Sequence, residues 1–322
     1  MKLKKNTKWG LGGILLASLL LFSLSSFAKK APAGKDSEWD PHGETCRTEG
    51  PCTYTRRETL PGNIKVEAQI VSLGAFKGDI EKIFDYAFGD VRRVASLLDD
   101  DDPSSEVSKV NDWSGRGFVE VGPEFELILT AAKKAYLWTD GAFDITTTPG
   151  IGNFKNIKIG DNFVFLKKEG MKISFKNIIH GFLADLLIRA IYNSNVDSAV
   201  AIVGPASRSI GSSVVGHWRT EVGDTEGRYA KRGMTLDSSN ISTASVVAGE
   251  NAPDTDPRWG TPLLPYCRSV TIISRNAAIS EALAHGVFIL GPKKGMALIK
   301  TLVNIKGVIV DSSGSFLKSP GL

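Results

Sequence analysis

Glu281 and His285 stand four apart in residues 277–290, where Ile279, Leu283 and Phe288 recur at helical spacing. On a helix that spacing stacks a carboxylate and an imidazole on one face, where they can hold a metal, trade a proton or pair with each other. Other stretches carry weaker chemistry. Asp99 to Asp102 are four adjacent carboxylates without the spacing of an EF-hand loop, which favours a solvated acidic turn over a calcium site. His180-Gly181 opens a helix and could meet an anion there, or simply start the helix. Gly204-Pro205 after an apolar run could approach a phosphate, but reads better as a turn, and Gly291 to Gly295 follows a helix rather than a strand, unlike a phosphate loop. Asp144, between an aromatic and β-branched residues, is either a ligand group or the residue that ends strand pairing. No nucleophile elbow, Walker loop or dinucleotide fingerprint is present, and four His without a second close Cys pair argue against a zinc site.

The elements that must position these groups alternate without a regular βαβ rhythm. Helical periodicity predicts helices over 78–98, 104–111, 123–139, 181–192, 277–290 and 294–303, with Gly291-Pro292 breaking the last two apart. Strands are predicted at 64–71, 118–121, 163–166, 172–175, 199–203, 218–222, 240–244, 269–273 and 307–311. This order predicts an α+β fold rather than a doubly wound parallel sheet.

The chain of 322 residues has 42% apolar and 23% charged residues, enough to bury a core, and its formal charge of +4 implies no nucleic-acid face. Lys2, Lys4, Lys5 and Lys8 precede an apolar run over 10–24 and a Ser26-Phe27-Ala28 cleavage pattern. Residues 1–28 therefore read as a secretory signal peptide, with an uncleaved inner-membrane anchor as the alternative. Export places the chain in a bacterial periplasm or cell envelope. In that oxidising setting Cys46 and Cys52, around a Gly-Pro turn, are expected to pair, leaving Cys267 buried in or beside a strand. Residues 29–62 read as a linker containing this loop, and residues 63–322 as one domain.

Taken in order, the motifs resemble the FAD:protein FMN transferase (ApbE-like) family. They are Ser105-Glu106-Val107-Ser108-Lys109-Val110-Asn111, Thr139-Asp140-Gly141-Ala142-Phe143-Asp144-Ile145-Thr146, Asp256-Pro257-Arg258-Trp259-Gly260-Thr261-Pro262, Ser280-Glu281-Ala282-Leu283-Ala284-His285 and Lys318-Ser319-Pro320-Gly321. The resemblance implies a single flavin transferase fold of mixed sheets and packed helices. It implies FAD as substrate, a divalent metal (Mg²⁺ in the family, Mn²⁺ or another ion here), and an exported protein that accepts FMN on a Thr or Ser hydroxyl while AMP leaves.

Carried onto this sequence, the resemblance implies Gly74, Ala142, Phe143, Asp144, Ser174 and His180 as cofactor-binding residues. It implies Asn177 (through its backbone oxygen), Glu281 and His285 as metal ligands, and His180 and Glu281 as catalytic groups. Several positions depart from the family pattern. His180 stands in place of a Lys, Ser174 and Glu281 each in place of an Asp, His285 in place of a Thr, Pro253 in place of a His, and the aspartate run in place of a Tyr. A nitrogen ligand suits zinc, iron or manganese better than magnesium. Two readings follow: a divergent flavin transferase, or a family member that has lost transfer and binds a flavin, a nucleotide or a protein.

Overall fold

The structure, a computed structural model, describes residues 42–46, 51–72, 77–222 and 234–322. Gly74 and the proposed signal segment lie outside the described residues. In chain order the elements begin β1 (His42–Cys46), β2 (Cys52–Leu60), β3 (Ile64–Ser72), α1 (Lys77–Leu97), α2 (Glu106–Asp112), β4 (Val119–Glu120) and α3 (Pro123–Trp138). They continue with β5 (Ile157–Gly160), β6 (Phe163–Leu166), α4 (Ile179–Asn193), β7 (Ala199–Val203), β8 (Ala206–Ile210), β9 (Arg219–Val222) and β10 (Met234–Asp237). The chain closes through β11 (Ser242–Val247), β12 (Thr255–Asp256), β13 (Thr261–Pro262), β14 (Cys267–Ser274), α5 (Ala277–Thr301), β15 (Lys306–Asp311) and β16 (Phe316–Lys318).

A nine-stranded sheet in the order β1-β2-β3-β7-β8-β11-β14-β15-β16 forms the spine, and the strands pair antiparallel. In β3 buried residues alternate with less buried ones, as expected of a strand with one covered face. Helix α4 packs on β7 and β8, and α5 on β11, β14 and β15. Ala277, Ala278 and Ala282 of α5 join the apolar cluster of α1, α3, α4, β3 and β7, whereas Ile279, Leu283 and Val287 join that of β11, β14 and β15. A helix joining two clusters is covered on every side, and all residues along the first three turns of α5 are buried, Ser280, Glu281 and His285 included. Asn276 caps its start by accepting from the Ile279 N–H at 2.8 Å. The break expected at Gly291-Pro292 is present, with Gly291 at φ 75°. No helix among the described residues is long and apolar enough to cross a membrane.

Two expectations are corrected. Residues 52–60 belong to the sheet as β2 and are not linker. Their charges hid the strand: Arg56 pairs with Glu58 and Asp85, and Arg57 with Glu67 across the β2–β3 register. Cys52 is disulfide-bonded and stands opposite Cys46 in register, while Cys267, opening β14, is free and buried. The strand expected at 172–175 forms a single bridge, Thr146 to Ile173. Its other side is taken by one side chain: Asn111 donates to the Ile173 carbonyl at 2.9 Å and accepts from the Ile173 N–H at 2.8 Å. A side-chain amide thus does the work of a neighbouring strand for one residue.

That contact explains the Ser-Glu-x-Ser-x-x-Asn run. Ser105 caps α2 by accepting from the Ser108 N–H at 3.0 Å, Glu106 accepts from the Gly122 N–H at 3.0 Å, and Asn111 at the far end pins residue 173. Ser105→Ala is expected to cost about 1 kcal/mol, read as a lower urea midpoint with unchanged slope.

Candidate functional site

The Thr139–Thr147 segment reaches the site because α3 ends tightly against α5. Thr139 Oγ1 donates to the Ala135 carbonyl at 2.7 Å and accepts from the Phe143 N–H at 2.9 Å, which folds the chain back over the helix end. Gly141 takes φ +76°, a left-handed turn that suits glycine. Across from it, a Cβ at Gly286 of α5 would overlap the Thr139 side chain. The missing side chain at Gly286 therefore lets the loop lie on α5.

The loop forms one wall of a cavity of about 320 Å³ lined by Ala142 to Thr147, Ser174, Lys176, Asn177, Pro253, Thr255, Pro257, His285 and Ile289. A second cavity, about 500 Å³, lies on the other side of Asp144 and Pro257 and is lined by Tyr136, Asp140, Gly150 to Asn153, Arg258 and Trp259 among others. Asp144 and Pro257 belong to both walls. Each volume is within the usual range for small-molecule sites. Trp259 is 74% exposed and offers an aromatic face at the rim of the second cavity. Asp256 holds Arg258 beside it through Nε at 2.9 Å and Nη2 at 2.5 Å.

Six residues expected at the site therefore share one cavity: Ala142, Phe143, Asp144, Ser174, Asn177 and His285. Asp144 lines both cavities and also holds its own backbone in shape. Its Oδ1 accepts from the Thr146 N–H at 2.9 Å and its Oδ2 from the Phe154 N–H at 3.1 Å, so it shapes the backbone as well as facing the cavities. Burial pushes its carboxyl above the usual range, against the pull of those two N–H groups. Lys176, Thr147, Tyr136 and Ile289 also line these cavities, beyond the expected residues. Lys176 was the one with a signal, two residues from Ser174 and next to Asn177.

His180 and Glu281 are placed differently from expectation. Glu281 is 1% exposed and lines neither cavity. Its Oε1 is 2.7 Å from His180 Nδ1, and its Oε2 accepts from the Gly181 N–H at 2.7 Å. The carboxylate is thus committed to the first turn of α4, while its charge still acts on His285. Burial draws the His180 pKa down, but the hydrogen bond and charge of Glu281 more than offset it, and the net displacement is upward. His180 therefore holds its proton more firmly than a free imidazole, and like Glu281 it lines neither cavity. Its ring lies against Gly204, where a Cβ would come within 2.7 Å of Cδ2, so the Gly204-Pro205 turn of the β7–β8 hairpin makes room for His180.

His285 is 3% exposed, and its Nδ1 is buried without a hydrogen-bond partner. Burial lowers its pKa to about 4, so the ring is neutral at pH 7.

These residues do not fit magnesium. Both Glu281 oxygens already accept from protein donors, and His285 offers nitrogen where a hard ion takes oxygen. Among the described residues the one grouping of three metal-capable side chains is Asp99, Asp100 and Asp101. That grouping serves another purpose: Lys176, on the cavity wall, lies 2.9 Å from Asp101 and 3.4 Å from Asp100. The aspartate run thus neutralises the lysine at the cavity.

Comparison with known proteins agrees with this architecture. A FAD:protein FMN transferase of Klebsiella pneumoniae (strain 342) is 23% identical over 263 residues, covering 71% of this chain and 82% of the relative. One from Haemophilus influenzae is 22% identical over 250 residues, covering 62% and 72%. The apo flavinyl transferase ApbE of Pseudomonas stutzeri superposes with a TM-score of 0.72 at 16% identity, over 85% of this chain and 96% of that one. The ApbE protein of Thermotoga maritima superposes at 0.69 with 23% identity, over 83% and 97%. Residues 63–153 and 151–309 match the ApbE family, and with most of the chain so covered, this protein belongs to it.

Proposed function

We propose that this chain binds FAD across the two cavities that meet at Asp144 and Pro257, and that it moves FMN from FAD to a threonine or serine hydroxyl of an exported protein. The observation that carries the reading is the shared wall, where one motif, residues 142–147, faces one cavity and its Asp144 also faces the next. A dinucleotide is long and needs two adjoining subsites. In the reaction the acceptor oxygen bonds to the phosphorus of the FMN half. The bond from that phosphorus to the bridging oxygen breaks, AMP leaves with the electron pair, and the hydroxyl proton passes to solvent. The N-terminal segment accords with an envelope location for enzyme and acceptor.

One observation favours a second reading, a family member that binds a flavin, a nucleotide or a protein without transfer. Both Glu281 oxygens are engaged by protein donors, and the His285 ring is neutral. Incubation with FAD, a threonine-bearing acceptor peptide and either Mg²⁺ or Mn²⁺ separates the two. Flavin fluorescence on the peptide together with AMP supports transfer. Tight FAD binding without product leaves the binding module, and no FAD binding overturns both.

Asp144→Ala is expected to weaken FAD binding at least tenfold, measured by fluorescence titration. It is also expected to cost about 1–3 kcal/mol of stability, because the Thr146 and Phe154 N–H groups lose their acceptor.

A further inference from the structure

A third cavity, of about 480 Å³, lies between α3, α4 and β8 and shares no lining residue with the two site cavities. Leu127, Phe182 and Ile210 supply apolar wall, and Arg189, Arg208 and Asp185 supply charge. One arginine of its wall is incompletely satisfied. Arg208 Nη1 is buried without an acceptor, and Nε is 3.8 Å from Asp185 Oδ1, beyond hydrogen-bond distance. Asp185 cannot serve Arg208 fully because its Oδ2 accepts from the Ala278 N–H at 3.1 Å, at the start of α5. Arg275, outside the lining, adds positive charge close enough to act on Arg208. The cavity wall thus holds two guanidinium groups and one carboxylate that is already engaged.

An unpaired buried guanidinium N–H is costly, and an anion that reaches it recovers a charge-assisted hydrogen bond. A monoanion costs less to bring against so apolar a wall than a phosphate dianion. Leu127 is 48% exposed despite its size, an apolar surface that a hydrocarbon chain would cover. We propose that this cavity binds an aliphatic carboxylate, with its head on Arg208 and Arg189 and its chain along Leu127, Phe182 and Ile210. This does not depend on flavin binding.

The test titrates the full chain at pH 7.5 with decanoate below its micelle-forming concentration, by calorimetry and by thermal shift. Saturable binding is expected, with decan-1-ol and inorganic phosphate each at least tenfold weaker. Arg208→Gln is expected to lower affinity at least tenfold. Because Arg208 is partly buried, two surface variants guard against misfolding: Arg189→Gln should weaken binding several-fold, and Leu127→Glu should abolish it. FAD titration of the same variants is expected to be unchanged. Decan-1-ol or phosphate binding as tightly as decanoate overturns the proposal, as does unchanged decanoate affinity in both surface variants.

Discussion

Gly181→Ala is expected to cost at least about 3 kcal/mol and to lower the melting temperature by roughly 10 °C, because the added methyl has nowhere to go. A Cβ at Gly181 would lie 2.7 Å from the Ala278 nitrogen and closer still to the carbonyl carbon and oxygen of Ala277. These are backbone atoms in the first turn of α5, so no rotamer change relieves the clash; α4 and α5 must move apart. Moving them pulls the Gly181 N–H away from Glu281 and disturbs the His180 pair, so the substitution reaches the candidate site as well as the core. Gly89→Ala is the matched control. It lies within α1, and a Cβ there meets nothing within 4 Å, so it should stabilise the chain by about 0.5–1 kcal/mol through helix propensity alone. Chemical denaturation of the two variants beside the parent checks both signs. A Gly181→Ala protein within about 1 kcal/mol of the parent would show that α4 and α5 do not cross as closely as described.

The same residues show how far the sequence could be read. Helices α3 and α4 and strands β3 and β7 were legible because each buries one continuous set of apolar side chains, which leaves a period of 3.6 or 2, or an unbroken apolar run. Strand β8 was not, because Ser207, Arg208 and Ser209 fill its middle, and buried Ser209 is satisfied by backbone hydrogen bonds rather than by apolar packing. Strand β2 was hidden by ion pairs in the same way. At the site, motif order brought Ala142, Phe143, Asp144, Ser174, Asn177 and His285 to one place. It could not show that Glu281 hydrogen-bonds His180, because that partner is 101 positions distant in the chain. Local spacing reports which side chains share a helix face, whereas tertiary crossing decides which of them hydrogen-bond.

Between about pH 4 and pH 6, two buried groups are expected to cancel in the parent and to be exposed by single substitutions. His285 has its pKa lowered by burial from 6.5 to about 4. The folded chain therefore binds fewer protons there than the unfolded chain, and this contribution destabilises the fold as pH falls from 6.5 toward 4. Asp185 has its pKa raised by burial from 3.8 to about 6, although the Ala277 and Ala278 N–H groups and Arg208 oppose the rise. Here the folded chain binds more protons, and stability is gained as pH falls from 6 toward 3.8. Each displacement is worth about 3 kcal/mol over its full window, and the two have opposite signs. His285→Gln should therefore leave Asp185 acting alone, so that this variant gains stability relative to the parent on going from pH 6.5 to 4. Asp185→Asn should lose stability over the same interval while keeping an oxygen to accept from the Ala278 N–H. The His180–Glu281 pair does not obscure the comparison. A raised imidazole pKa gives stability that is fully present below 6.5 and lost as pH rises through the folded value, on the other side of the window. Urea denaturation of the three proteins at half-unit pH steps is the measurement. Curves for the two variants that diverge on acidification, with the parent between them, are expected. Curves parallel to the parent would mean that neither group is buried in the protonation state assigned to it.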